Sequence, residues 1–291
     1  MSNQVRKAVF PAGGMGTRFL PATKVIPKEM LALVDKPIIQ YGVEEAVASG
    51  IEHIIFVTGR GKGAMEDHFD ISYELEATLE KKGKTELLAL SRRISSMARI
   101  SYVRQKEPLG LGHAVLCAKD LVGDEPFAVI LPDDVIDAEV PCLKQMIAVF
   151  NERGGSVLAT QTVEGPGISA YGVLAGSQDP VNKRIYNCTG MIEKPKFEEA
   201  PSTQAIIGRY LLTPRVFALL EQTKPGAIGE IQLTDGIKAL VKEEKVFGYT
   251  FEGKRFDAGD KSGMLEATVE FALKRKDLGP RFREFLKGLS L

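Results

Sequence analysis

Four short apolar runs, KAVFPA, HIIFVTG, RISYVRQ and FAVILPDD, recur through the first half of the chain with stretches of helical periodicity between them. Each run is strand-sized, and three are apolar enough to be buried on both faces. The stretch PIIQYGVEEAVASG opens on Pro37, a residue suited to a first helical turn, and closes on Gly50, suited to the position just past a helix end. FDISYELEATLEKKGK and LGLGHAVLCAKDLVG read the same way. Strand and helix in alternation predict a parallel sheet with helices on both faces, and such sheets gather their ligands at the carboxyl ends of the strands.

After about residue 155 the rhythm changes. SVLATQTV, YGVLAG, RIYNCTGMIEKP and AIIGRYLLT are close-spaced strands joined by Gly, Pro and Asn turns, as in an antiparallel or mixed region. Helices return with TPRVFALLEQT and EIQLTDGIKALVKEEK, a short strand pair is expected in VFGYTFEGKRFDAG, and DKSGMLEATVEFALKRKD closes the pattern as a helix begun at Asp260. The expected fold is therefore α/β: a Rossmann-like, mixed but mainly parallel sheet with helices on both faces and a small additional β region. One domain, 1–291, is expected, with a nucleotide-type half at 1–155 and a sugar-sized half at 156–291.

Bulk properties narrow the function. With 38 basic and 38 acidic residues there is no global field to draw the chain to nucleic acid or membrane. The N-terminal MSNQVRKAVF lacks the apolar core of a signal peptide. The three cysteines, Cys117, Cys142 and Cys188, are widely spaced and offer neither a disulfide framework nor a zinc pattern, so a cytoplasmic setting is expected.

The residues with chemistry fall where the strands end. Ala12-Gly13-Gly14-Met15-Gly16-Thr17-Arg18 follows the first strand. Glycines there let the backbone pass close to a ligand and expose N–H groups to an anion, while Arg18, Lys24 and Lys28 add cations for phosphate oxygens. The loop is no Walker motif, since G-x-x-x-x-G-K-[ST] is absent. FAVILPDDVID delivers Asp133 and Asp134 at a strand end. A carboxylate there is costly to desolvate unless a cation meets it, which favours a metal for Asp133 and a turn or helix cap for Asp134. RFDAGDKSG repeats that grammar with Asp257, and the two aspartates could hold one divalent ion. MIEKPK places an acceptor, Glu193, beside a cation, Lys194, suited to sugar hydroxyls and an anomeric phosphate. In RQKEPLGLGHA, Gln105 can read a base edge, and Gly110 and Gly112 open a helix whose N-terminus can face phosphate. His113 reads as a packed helix-start residue. No Ser-His-Asp spacing or plausible thiolate nucleophile is present, so the chemistry is one of positioning and charge neutralisation: phosphoryl or nucleotidyl transfer. A looser dinucleotide pattern, Gly59-x-Gly61-x-x-Ala64, lies outside the first βα turn and reads as a basic turn.

Taken together, FPAGGMGTRFLPATKVIPKEMLALVDKPIIQY, QKEPLGLGHAV, LPDD, YGV, EKP, GEIQLTD and RFDAGDKSG closely resemble, in order and over about residues 5–275, the bacterial UTP–glucose-1-phosphate uridylyltransferases. Ala32 departs from the proline expected at that structural position. The resemblance implies an enzyme that joins UTP and glucose 1-phosphate into UDP-glucose and pyrophosphate with Mg²⁺, in a homo-oligomer (dimer or tetramer). It implies that Ala12, Gly13 and Gly14 face the nucleotide, with Arg18 and Lys28 on the triphosphate. Glu29, Gln105 and Gly110 would lie around the uracil, and Asp133 and Asp257 would bind the metal. Gly172, Glu193, Lys194 and Gly208 would hold glucose 1-phosphate, with Glu230 and Asp235 bordering the sugar pocket. Two alternatives stay open: a sister activity with dTTP or another sugar phosphate, and a catalytically silent nucleotide-binding module of the same fold.

Overall fold

The structure, a computed structural model, describes residues 4–226 and 229–290. In chain order its strands are β1 (Lys7–Ala12), β2 (Ala32–Leu33), β3 (Lys36–Pro37), β4 (His53–Thr58), β5 (Arg99–Arg104), β6 (Phe127–Ile130) and β7 (Asp134–Asp137). They continue as β8 (Ser156–Thr162), β9 (Gly172–Gln178), β10 (Ile185–Glu193), β11 (Gln204–Leu212), β12 (Val246–Thr250) and β13 (Lys254–Asp257). Nine of them form one sheet in the order β5-β4-β1-β6-β11-β8-β12-β10-β9. The first three pairings are parallel, and so is β8 with β12. The pairings of β11 with β6 and β8, and of β10 with β12 and β9, are antiparallel.

Alternation along the strands divides the core. Phe10, Phe56 and Ile130 point to one face, where the helices Ile38–Ala48 and Cys142–Arg153 cover them with Ile39, Val43, Leu143 and Met146. Their chain neighbours Val9, Ile55 and Val129 point to the other, against Val115, Val216, Phe217 and Ile237 of the helices Leu111–Leu116, Arg215–Gln222 and Leu233–Leu240. Period-two alternation thus sends successive residues into two cores, and each fully buried side chain of this size contributes about 1.5–3 kcal/mol.

A smaller layer positions the site. β7 and β13 pair antiparallel, with Asp134 opposite Asp257, and Val135 and Phe256 seal this ribbon against Leu33, Ile38 and Ala267. Ala267 belongs to the helix Lys261–Lys274, capped as expected by Asp260, whose carboxylate accepts from Ser262 N at 2.9 Å.

Several local expectations are corrected. FAVILPDDVID is two strands: β6 ends at Ile130, the chain turns, and Asp134 begins β7, so it is neither a turn residue nor a helix cap. VFGYTFEGKRFDAG is not a hairpin, because β12 joins the large sheet and β13 the ribbon. Pro37 sits at the N-cap, one residue before the first helical turn, while Gly50 (φ +93°) follows the C-cap as anticipated. LGLGHAVLCAKDLVG breaks into Leu111–Leu116 and Lys119–Val122. The helices Gly63–Phe69, Thr85–Ser95, Cys142–Arg153 and Gly279–Lys287 add to those the sequence announced. Among the described residues no helix is long and apolar enough to cross a membrane.

Candidate functional site

The expected site residues lie at different points of their strands: Ala12, Glu193 and Asp257 close β1, β10 and β13, Gly172 opens β9, and Gly208 lies within β11. β1 runs into the glycine loop, where Gly16 adopts φ +66° and caps a 3-10 turn, Thr17–Phe19. A side chain at Gly16 would meet both Lys28 and Thr23, and Thr23 Oγ1 donates to Gly16 O at 2.7 Å. The loop therefore doubles back on Lys28, as glycine alone permits. Gly16, Thr17, Arg18, Phe19, Lys28, Asp133 and Gly259 line a cavity of 260 Å³.

One of the two cations in this cavity is paired with its carboxylate. Lys28 Nζ lies 2.5 Å from Asp133 Oδ2. Burial alone would raise the Asp133 carboxyl, but the Lys28 ammonium outweighs it and holds the group below its ordinary value. Reciprocally, burial would lower Lys28, and Asp133 overcomes it and raises the ammonium. Arg18 Nη1 reaches Gly259 O at 3.5 Å, and Gly259 N donates to Asp257 Oδ1 at 3.0 Å. A methyl group at Gly259 would come within 2.7 Å of Asp133 Oδ2 and 3.1 Å of Asp257 Oδ1. Two carboxylates from distant parts of the chain thus converge on one small volume, and only a residue without a side chain leaves it free.

Behind that pair stands a buried scaffold. Arg255 pairs with the Asp134 carboxylate and reaches Tyr171 Oη at 3.1 Å and Asp257 Oδ2 at 3.4 Å. Burial raises Asp134 to about 6, and Arg255 opposes the rise. Arg209, fully buried, holds Glu45 through Nε and Nη2, the latter at 2.8 Å, and donates to the carbonyls of Leu131, Gly208 and Asp134. These donations fix the turn that carries Asp133, since Leu131 and Asp134 flank it. Gly208 lies beneath the turn, and a side chain there would run into the Asp134 carboxylate.

Across the glycine loop, Gln105 lies against Gly13 and bonds Gly110 O and His113 Nδ1. Gly110 has φ +99°, and a Cβ there would collide with Ile231 O and Glu230. Gly112 N donates to Ile231 O and Ile231 N to Leu109 O, both at 2.8 Å, so the glycines dock this helix start on the segment Glu230–Gln232. At the end of β10, Glu193 Oε2 accepts from Thr234 Oγ1 at 2.6 Å beside Gly172, where a Cβ would approach that carboxylate to 3.1 Å. Lys194 adopts φ +46°, uncommon for a residue with a side chain, and its exposed ammonium stands 4.0 Å from Glu193.

The expected residues therefore form three contiguous groups: Arg18, Lys28, Asp133 and Asp257; Gly13, Gln105 and Gly110; Gly172, Glu193 and Lys194. Ala12 ends β1 among them. Some expected residues sit apart from these surfaces. Glu29 is 2% exposed and bonds Lys62 Nζ at 2.6 Å, while its other oxygen has no partner. Lys24 is exposed beyond the cavity. Of the GEIQLTD segment it is Thr234, not the exposed Asp235, that bonds Glu193. Arg209, Arg255, Lys62 and Thr234 escaped sequence reasoning. The one available signal was an arginine inside the apolar run AIIGRYLL.

Comparison with known proteins fits this geometry. The nucleotidyl transferase family model matches residues 7–273. The UTP–glucose-1-phosphate uridylyltransferase of Bacillus subtilis (strain 168) is 52% identical over 288 residues, 98% of this chain and 97% of that protein. A UDP-glucose pyrophosphorylase complexed with UDP-glucose superposes with a TM-score of 0.85 at 45% identity, over 94% of this chain and 100% of that one. A UTP-bound enzyme of the same kind from Acinetobacter baumannii gives 0.92 at 41% identity, over 99% and 100%. The chain belongs to the nucleotidyl transferase family, in the branch of the UTP–glucose-1-phosphate uridylyltransferases.

Proposed function

We propose that the chain transfers the uridylyl group of UTP to glucose 1-phosphate, releasing pyrophosphate. The observation that carries this reading is the convergence of Asp133 and Asp257 on Gly259, with Arg18 and Lys28 in the same cavity. A phosphate oxygen of glucose 1-phosphate forms a bond to the α-phosphorus of UTP. The bond from that phosphorus to the β-phosphate bridging oxygen breaks in line, and pyrophosphate leaves with the electron pair. The acceptor phosphate is ionised at neutral pH, so no general base is required. That suits a site whose ionisable groups are cations and carboxylates.

Two anions must meet for this reaction. Arg18 and Lys28 neutralise the triphosphate, Lys194 neutralises the sugar phosphate, and Glu193 and Gly172 orient the sugar. Asp133 and Asp257 are the ligands proposed for Mg²⁺, which supplies further charge neutralisation on the phosphates. The fit rests on two oxygen donors facing a space that a single Cβ would fill, with Asp133 held ionised. The division into a nucleotide half, 1–155, and a sugar half, 156–291, belongs to the same proposal, as do a homo-oligomer and a cytoplasmic setting that suits three free cysteines.

The test is pyrophosphate release from UTP, dTTP, CTP and ATP, each with glucose 1-phosphate, in Mg²⁺ and in EDTA. UTP-selective release that EDTA abolishes is expected. Preference for dTTP would move the chain to the sister activity, and nucleotide binding without release from any pair would favour the silent module.

A further inference from the structure

Gln105 follows β5, and its backbone N–H donates to Thr58 O at 2.9 Å, which anchors it at the carboxyl end of the sheet. Its side-chain Nε2 has two partners, Gly110 O at 3.1 Å and His113 Nδ1 at 3.0 Å. A carbonyl oxygen can only accept, so the Gly110 contact requires the NH₂ end of the amide to face it. The second amide proton then goes to His113 Nδ1, which must be the unprotonated ring nitrogen, with the ring proton on Nε2. Both amide protons are consumed within the protein. The remaining end, Oε1, lies 3.0 Å from the point where a Cβ on Gly13 would sit. Gly13 has no Cβ, so the space before that oxygen is open to a ligand on the glycine loop.

An amide held this way is an acceptor only. Uracil and thymine carry a proton on N3, whereas the N3 of cytosine is itself an acceptor. We infer that His113 is a positioning residue that locks Gln105 as an acceptor for the imino N–H of the base, so that a cytosine nucleotide is refused. His113 is well placed to act as a lock. It sits in the first turn after Gly110, on a helix docked to Ile231 by two backbone hydrogen bonds. Without its ring the amide loses the acceptor that holds its second proton. It can then rotate to present NH₂ to the base at the loss of one hydrogen bond, since Gly110 O still accepts from Ala114 N at 3.1 Å. The inference rests on the uridylyl reading above and deepens it.

The test measures equilibrium binding of UTP and of CTP by calorimetry, together with pyrophosphate release, for the native chain and for His113→Ala, His113→Leu and His113→Asn. Asparagine places Oδ1 where Nδ1 stood and can accept the same bond; leucine keeps bulk without an acceptor. In the native chain UTP binds and CTP is disfavoured. In His113→Ala and His113→Leu the UTP:CTP affinity ratio falls about tenfold, the factor one misplaced hydrogen bond commands, and His113→Asn restores it. Melting curves identify any variant that has lost its fold, and the other non-accepting variant then decides. A ratio unchanged by both alanine and leucine overturns the lock, as does a native chain that binds CTP as well as UTP. Failure of the native chain to release pyrophosphate would count against the activity, and the binding ratios would still judge the lock.

Discussion

Lys62→Met tests how the floor beneath the glycine loop is held. Lys62 and Glu29 lie 2.6 Å apart, and their side chains are 6% and 1% exposed, so the pair has almost no solvent to screen it. Burial raises the Glu29 carboxyl above its ordinary 4.5, and Lys62 opposes that rise. Methionine matches the lysine stem but leaves the carboxylate alone, with Oε1 already unpartnered. The cheapest response is for Glu29 to take up a proton on folding. At pH 7 that lies about 2.5 pH units above its ordinary value, which at about 1.36 kcal/mol per unit costs about 3.4 kcal/mol. At pH 5.5 the same reasoning gives about 1.4 kcal/mol. The sign follows from the protons: the folded variant keeps a proton that its unfolded chain releases. Its deficit against the native chain therefore grows as pH rises, with a slope that approaches one proton above the raised value of the native Glu29. Urea unfolding of both chains at pH 5.5, 6, 6.5 and 7 measures that slope. A deficit that stays constant with pH would refute the account, and Lys62→Met with Glu29→Gln should remove the pH dependence altogether.

Three further outcomes are expected. Gly259→Ala puts a methyl 2.7 Å and 3.1 Å from the two carboxylates while its own backbone lies in an ordinary region. Turnover should fall about a hundredfold or more, with little change in melting and a higher Mg²⁺ requirement, as read from pyrophosphate release across a metal titration. Lys194→Ala should raise the KM for glucose 1-phosphate about tenfold and leave that for UTP near native, in steady-state kinetics with each substrate varied. Gly208→Ala overpacks the space under Asp134 and should cost about 1–3 kcal/mol in denaturant unfolding, with a parallel loss of turnover because Asp133 rides on the same turn.

What the sequence made legible and what it hid divide along a physical line. β1, β4 and β5 announced themselves through local apolar runs, and Asp133, Asp257, Arg18 and Lys28 through their place at strand ends. Pairing partners were hidden, because nothing local in VFGYTFEGKRFDAG says that its two halves enter different sheets. The same limit applies to support residues. Lys62 looked like part of a basic turn, GRGKG, and Arg209 passed unremarked in the strand AIIGRYLLT, because their partners Glu29 and Glu45 come from far along the chain. The break after Ile130 was hidden for a different reason. Pro132 and Asp133 are turn residues, but the acidic pair there read as the end of the buried strand, and Arg209, donating to the carbonyls on either side of Asp133, holds the bend.

The ribbon in which Asp134 faces Asp257 also sets an order of events during synthesis. The strands β1, β4, β5 and β6 are made early, and their parallel pairings need nothing from the C-terminal half. β7 is the exception. Its one partner strand, β13, emerges more than a hundred residues later, so this pairing waits for the C-terminal half of the chain. Until then Asp134 has no Asp257 opposite and Asp133 no second carboxylate beside it, and Arg255, which pairs with both Asp134 and Asp257, has not been made. A growing chain thus carries its glycine loop and cations exposed for most of its synthesis, yet lacks the carboxylate pair. The carboxylate pair is completed only when the last strand seats.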